Sequence, residues 1–156
     1  MQQGLKMIVA GVAVAAAAYV AYAFVIARPP AGADPDDAAQ VALGRQVYAR
    51  ECASCHGVNL EGQPDWRNRR PDGKLPAPPH DADGHTWHHS DDQLFALTKQ
   101  GIAAFAPPGY RSDMPAYGGK LSDAEIWAVL AYIKSRWPRD IRERQDTATR
   151  RAREAR

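Results

Sequence analysis

Hydrophobic and polar positions are distributed very unevenly along this chain. From Met7 to Ala27 no residue carries a charge, and this run follows Lys6 and is closed by Arg28-Pro29-Pro30. As a helix rising ~1.5 Å per residue it would span about 31 Å, close to the hydrocarbon thickness of a bilayer. Residues 1–27 therefore predict a single transmembrane anchor with Lys6 and the amino terminus on the cytoplasmic side. The competing reading is a cleaved leader, because Ala21-Tyr22-Ala23 offers a cleavage site behind an apolar region of suitable length. Cleavage there would leave Phe24-Val25-Ile26 at the new terminus, which favours the anchor. Either way, the remainder of the chain is exported.

Beyond Arg28 the pattern breaks into short helical periods separated by Pro- and Gly-rich stretches. Residues 28–37 read as a linker, its Pro, Gly and Ala segment ending at Asp34. Asp34 is the expected N-cap of a first helix, with Pro35 at the first helical position and Asp36 and Asp37 in the first turn. That helix runs to about Glu51, with Val41, Gly44, Val47 and Tyr48 on one face. From Gly57 to His89 no period holds, and Pro64, Pro71, Pro76, Pro78 and Pro79 interrupt the stretch. A loop this long inside a compact domain needs something to wrap around. Ser90-Asp91-Asp92-Gln93 opens a short helix stopped by Gly101. After a second Pro/Gly loop from Ala106 to Gly119, Ser122-Asp123-Ala124-Glu125 opens another, with Ile126, Val129, Leu130 and Ile133 on one face. The tail, 138–156, has almost no large apolar residue and reads as a solvated helix or disorder, with contact to anionic lipid or a partner as the alternative. The fold class is all-α: three to four helices over residues 38–137, preceded by the transmembrane helix.

Composition sharpens this only at the ends. The 156 residues carry a formal charge of +2, and only two cysteines are present. A disulfide-rich scaffold is excluded, and neither a disordered acidic chain nor a nucleic-acid binder has this balance. Residues 38–137 hold eleven basic and eleven acidic side chains, whereas the tail holds seven arginines against four acids. The positive charge thus belongs to the termini.

The chemistry concentrates at Cys52-Ala53-Ser54-Cys55-His56. Cys-x-x-Cys-His is the attachment sequence of c-type haem. At a helix end, cysteines three apart reach the two vinyl groups on one porphyrin edge, and the adjacent histidine turns its imidazole onto the iron. A thioredoxin-like redox pair would need a βαβ context, which the flanks lack. A structural disulfide is a further alternative, as is a zinc site joining Cys52 and Cys55 to the His85-Thr86-Trp87-His88-His89 cluster. With Met1 and Met7 in or before the apolar run, Met114 is the one thioether available to the second axial position. A histidine from His80, His85, His88 or His89 would instead give two imidazoles. His/Met ligation raises the reduction potential and closes the coordination sphere, favouring electron transfer over oxygen chemistry. His56 and Met114 are thus the expected axial ligands.

With these residues in place, the chain over about residues 38–137 resembles a class I monohaem cytochrome c, here of the bacterial, membrane-anchored kind. Gly44, Tyr48 and Cys52 match the family's Gly-x-x-x-aromatic-x-x-x-Cys spacing. Leu130-Ala131-Tyr132-Ile133-Lys134 is similar to its last helix. The resemblance implies a cytochrome c-like fold around one covalently bound haem c, with Tyr132 packed where the first and last helices cross. It implies a proline carbonyl behind the proximal imidazole, for which Pro76, Pro78 and Pro79 are candidates and Pro78 is preferred. It also implies propionate contacts from Trp87 and Ser112. The chain departs from the mitochondrial pattern in its long Trp66–His80 loop, its front anchor, its Arg-rich tail and the absence of a lysine ring.

The expected function is an electron carrier rather than an enzyme, tethered to the bacterial cytoplasmic membrane with its haem domain on the periplasmic face. A quinol-oxidising complex or a periplasmic dehydrogenase would be the donor and a terminal oxidase or reductase the acceptor. The alternatives are a haem-bearing subunit of a larger oxidoreductase, a haem enzyme or sensor with an open iron site, and a zinc or copper module. His85, His88 and His89 could serve a peripheral metal or contact a copper protein.

Overall fold

A computed structural model describes residues 32–155 together with Tyr19. The anchor expected over 1–27 otherwise lies outside the described residues, as does the linker up to residue 31. Among the described residues there is no strand, and no helix is long and apolar enough to cross a membrane.

The first helix, α1 (Ala38–Glu51), starts later than the sequence suggests. Asp37, not Asp34, caps it, its Oδ1 accepting from the N–H groups of Ala39 and Gln40 at 2.9 and 3.1 Å. Asp34 instead closes a turn, its carbonyl accepting from Asp37 N and its Oδ1 from Asp36 N. Pro35 occupies the turn position its fixed φ favours. Gln40 then reaches back to pin the incoming strand of chain. Its Oε1 accepts from Asp34 N at 2.7 Å, and its Nε2 donates to Gly32 O at 3.0 Å.

After the single turn of α2 (Ala53–His56) comes the long loop, which is ordered by backbone bonds to its own distant parts. Gln63 N donates to Ala77 O, while His80 N and Asp81 N both donate to Leu60 O. Leu60 is 1% exposed and has φ of +73°. A bulky residue in this left-handed region is uncommon and persists only where its surroundings dictate it. Here the conformation turns one carbonyl toward two donors. The proline run threads a gap beside Gly84, where an added Cβ would lie 2.1 Å from Pro79 O.

Helix α3 (Asp91–Gln100) is capped by Ser90 Oγ, which accepts from Gln93 N, and ends at Gly101. Helix α4 (Asp123–Ser135) carries a complete capping box between Ser122 and Glu125. Val47 and Tyr48 of α1 and Ile126, Val129, Leu130 and Ile133 of α4 form one buried core with Leu60, Leu94 and Trp137. Gly44 makes the α1–α4 crossing close enough for backbone contact, and Tyr132 packs there, its ring 5.4 Å from that of Tyr48.

The tail differs from its expectation as a solvated or disordered segment. It forms α5 (Arg139–Glu154), whose residues Ile141, Gln145 and Thr149 recur every four positions and are buried. Lys134, 3% exposed, donates to both carboxylate oxygens of Asp91 at 3.0 Å. Gln145 Nε2 donates to Asp91 Oδ1 at 2.7 Å, and Asp91 N donates to Thr149 Oγ1 at 3.1 Å. A polar latch, rather than an apolar stripe, docks α5.

Candidate functional site

The end of α1 delivers the attachment sequence. Cys52 N–H donates to Tyr48 O, and His56 N–H donates to Cys52 O, so α2 folds back as one tight turn. Cys52 is half-buried and Cys55 exposed. Burial, with Glu51 and Cys55 adding negative potential, pushes the Cys52 thiol up to about 12.

His56 is buried and held at several points. Its carbonyl accepts from Gly62 N at 2.8 Å, while Tyr48 Oη donates to Gly57 O at 2.8 Å and lies 3.3 Å from His56 O. Its ring Nδ1–H donates to Pro78 O at 2.8 Å. A carbonyl can only accept, so this bond fixes the tautomer and leaves the lone pair on Nε2. Burial lowers the pKa of His56, opposed by the Pro78 bond. The imidazole is therefore neutral, as a metal ligand must be.

Met114 is half-buried and packs against the core. Its N–H donates to Ser112 Oγ at 3.1 Å. Its neighbour Asp113 is gripped by Arg70 and Lys74, and Arg111 Nη1 donates to Asp72 O at 3.3 Å. The excursion between Trp66 and His80 is thereby strapped to the Met114 loop. Nothing in the sequence pairs these charges, because they come from two irregular segments.

Other anticipated residues have partners of their own. The Trp87 indole N–H donates to Ala82 O at 3.3 Å, and its ring stacks on His88 at 3.8 Å. His85 stacks on Trp66 and meets His89 edge-on, each at 5.6 Å. Among the described residues no three His, Cys, Asp or Glu side chains converge to hold a metal ion. The zinc arrangement of Cys52 and Cys55 with the His85–His89 cluster is thus not assembled there. His80, one of the histidines considered for the second axial position, stacks on His56 itself. Burial, with His56 and His85 contributing, holds its pKa well below the usual histidine value. No spacing in the sequence signals this contact.

The donor set suits a c-type haem: two thiols one turn apart, an imidazole with Nε2 available, and a thioether from a separate loop. Comparison with known proteins agrees. Residues 41–137 match the cytochrome c family. Thiosulfate dehydrogenase of Stutzerimonas stutzeri is 32% identical over 102 residues, 65% of this chain and 29% of that protein. Cytochrome c6 of Picosynechococcus is 32% identical over 100 residues, 64% of this chain and 75% of that protein. A cbb3-type cytochrome c oxidase subunit FixP of Bradyrhizobium is 29% identical over 96 residues, 60% of this chain and 29% of that subunit. The chain therefore spans under a third of two of these relatives and three quarters of the other. No solved structure matches. The chain belongs to the cytochrome c family and carries a haem-bearing electron-transfer domain over residues 41–137, with Cys52 and Cys55 in the attachment motif of its covalently bound haem c.

Proposed function

We propose that the protein is a membrane-anchored, single-haem carrier of the class I type, working on the periplasmic face of a bacterial cytoplasmic membrane. His56 and Met114 are its axial ligands. The observation that carries the ligation is the 2.8 Å bond from His56 Nδ1 to Pro78 O, which commits one ring nitrogen to the protein and frees the other. When bound, the haem supplies one-electron iron chemistry. The Pro78 carbonyl raises the donor strength of His56. The Met114 thioether would oppose it by favouring the reduced state and, as a second ligand, would keep small oxidants off the iron. No bond-making step is required of any side chain. The uncharged run before Arg28 supports the anchor.

Donor and acceptor follow from this placement: a quinol-oxidising complex or periplasmic dehydrogenase on one side, a terminal oxidase or reductase on the other. A second reading, a haem-bearing module of a larger oxidoreductase, is favoured by the low coverage of thiosulfate dehydrogenase and the oxidase subunit. Co-purification at fixed stoichiometry with a catalytic subunit would select it.

The deciding experiment for ligation is the optical spectrum of the haem-loaded protein and of Met114→Ala. We expect a weak near-infrared sulfur-to-iron band in the first and none in the second. Its absence from the unsubstituted protein would move the sixth ligand elsewhere. Fractionation of cells expressing the full chain tests the anchor, and release of the protein by a salt wash would refute it.

A further inference from the structure

A half-buried side chain lies beside the iron-binding motif. His80 lies flat against His56, ring centroids 4.0 Å apart and planes within 22° of parallel. The rest of His80 is fixed on every side. Its N–H donates to Leu60 O at 2.7 Å, and its carbonyl accepts from Trp137 Nε1 at 2.7 Å. Its Nδ1 shares a hydrogen bond with Thr86 Oγ1 at 2.8 Å, and Tyr48 meets its ring edge-on at 6.5 Å.

The His56 ring is held in its own plane by one bond, Nδ1 to Pro78 O. A hydrogen bond to a carbonyl keeps most of its strength over about 30° of misalignment, so by itself it lets the ring plane tilt and swivel. A second flat ring at van der Waals distance resists that swivel, because any tilt drives one edge into the neighbour. The partner must be rigid to do this, and the four contacts to His80 make it so.

We propose that His80 is a positioning residue that sets the plane of the His56 imidazole, and hence its orientation above the haem. This rests on His56 being an iron ligand. The angle of an axial imidazole about the iron–nitrogen axis governs how unpaired spin spreads over the porphyrin. Haem methyl proton shifts and the g-values of the ferric state therefore report it directly.

The test compares the full-length, haem-loaded ferric protein with His80→Leu, His80→Phe and Thr86→Val by proton NMR and EPR. His80→Leu removes the flat partner and is expected to change the order or spread of the haem methyl shifts and move the g-values. His80→Phe restores a flat ring on the same face and should return both toward the unsubstituted pattern. Thr86→Val keeps both imidazoles but frees His80 to turn, and should give a smaller change in the same direction. If His80→Leu fails to load haem, the other two variants still decide. Unchanged shifts and g-values in His80→Leu or, where that variant carries no haem, in Thr86→Val would overturn the proposal, whatever happens to thermal stability. An unsubstituted protein without a low-spin, histidine-ligated ferric spectrum would overturn the ligation reading and this proposal with it. That failure is distinct because it appears before any substitution is made.

Discussion

A methyl group placed on Gly44 would fall 1.9 Å from the carbonyl oxygen of Ala128. That oxygen belongs to the helix backbone and cannot rotate aside, so α1 and α4 meet here at a distance only glycine allows. Gly44→Ala must push the helices apart, and overpacking of this kind typically costs about 1–3 kcal/mol. We expect a Tm several degrees lower by circular dichroism of the haem-loaded protein, with Gly44→Val more damaging. An unchanged Tm in Gly44→Val would mean that the crossing adjusts freely.

Asp113 ties the Met114 loop to Arg70 and Lys74. All three side chains are partly exposed, so each pair contributes at most about 1 kcal/mol and is screened by salt. With Met114 as the proposed iron ligand, Asp113→Asn should leave it bound while letting its loop open more often. Imidazole added to the ferric protein should then displace Met114 about two- to fivefold more readily, the range corresponding to roughly 0.5–1 kcal/mol. Raising the salt concentration should narrow the gap between variant and parent. Equal imidazole affinities at low salt would show that the strap does not restrain the loop.

Lys134→Met leaves the Asp91 carboxylate buried without its cation. Breaking a buried pair from one side costs about 3–5 kcal/mol. Combining it with Asp91→Asn removes the stranded charge and leaves an oxygen to accept from Gln145, so most of the loss should be recovered. Urea midpoints of the two variants measure this. Equal losses in single and double variants would assign the effect to packing rather than charge.

The pH dependence of stability should carry the mark of His80. Its pKa is held well below the ordinary histidine value by burial first, then by its histidine neighbours. The unfolded chain binds the proton at about 6.5, the fold does not, and so unfolding takes up a proton below that pH. The contribution of His80 to stability is therefore fully present above about pH 7 and declines as the pH falls through about 6.5. The slope approaches ~1.4 kcal/mol per pH unit for this one group. In His80→Phe the decline between pH 6.5 and 5 should be shallower; an identical slope would place the titrating group elsewhere.

Which parts of this molecule could be read from its sequence follows from where the information lies. Helix α4 announces itself through a capping box and apolar residues at helical spacing, both local. The attachment motif is legible because covalent chemistry dictates its spacing. The start of α1 misleads because Asp34 and Asp37 have the same capping chemistry, and the choice falls to Pro35 and to Gln40 reaching backward. The docking of α5 is hidden because its buried face is Ile141, Gln145 and Thr149, and two of these are polar. The choice of Pro78 among three prolines and the pairing of His80 with His56 depend on how a long irregular loop closes. No periodicity encodes that.

The backward grip of Gln40 on Gly32 and Asp34 would also limit, on the anchored reading proposed above, how far the haem domain can travel. Arg142 of α5 adds an ion pair to Asp36 at 3.2 Å, so much of the expected linker is part of the folded body. For a chain anchored through residues 1–27, only 28–31 remain as leash, and such a stretch extends no more than about 14 Å. The domain would then be moored against the lipid surface rather than floating above it. On that reading its redox partners would present their docking faces at the same height, and lateral drift rather than vertical reach would bring electron donor and acceptor together.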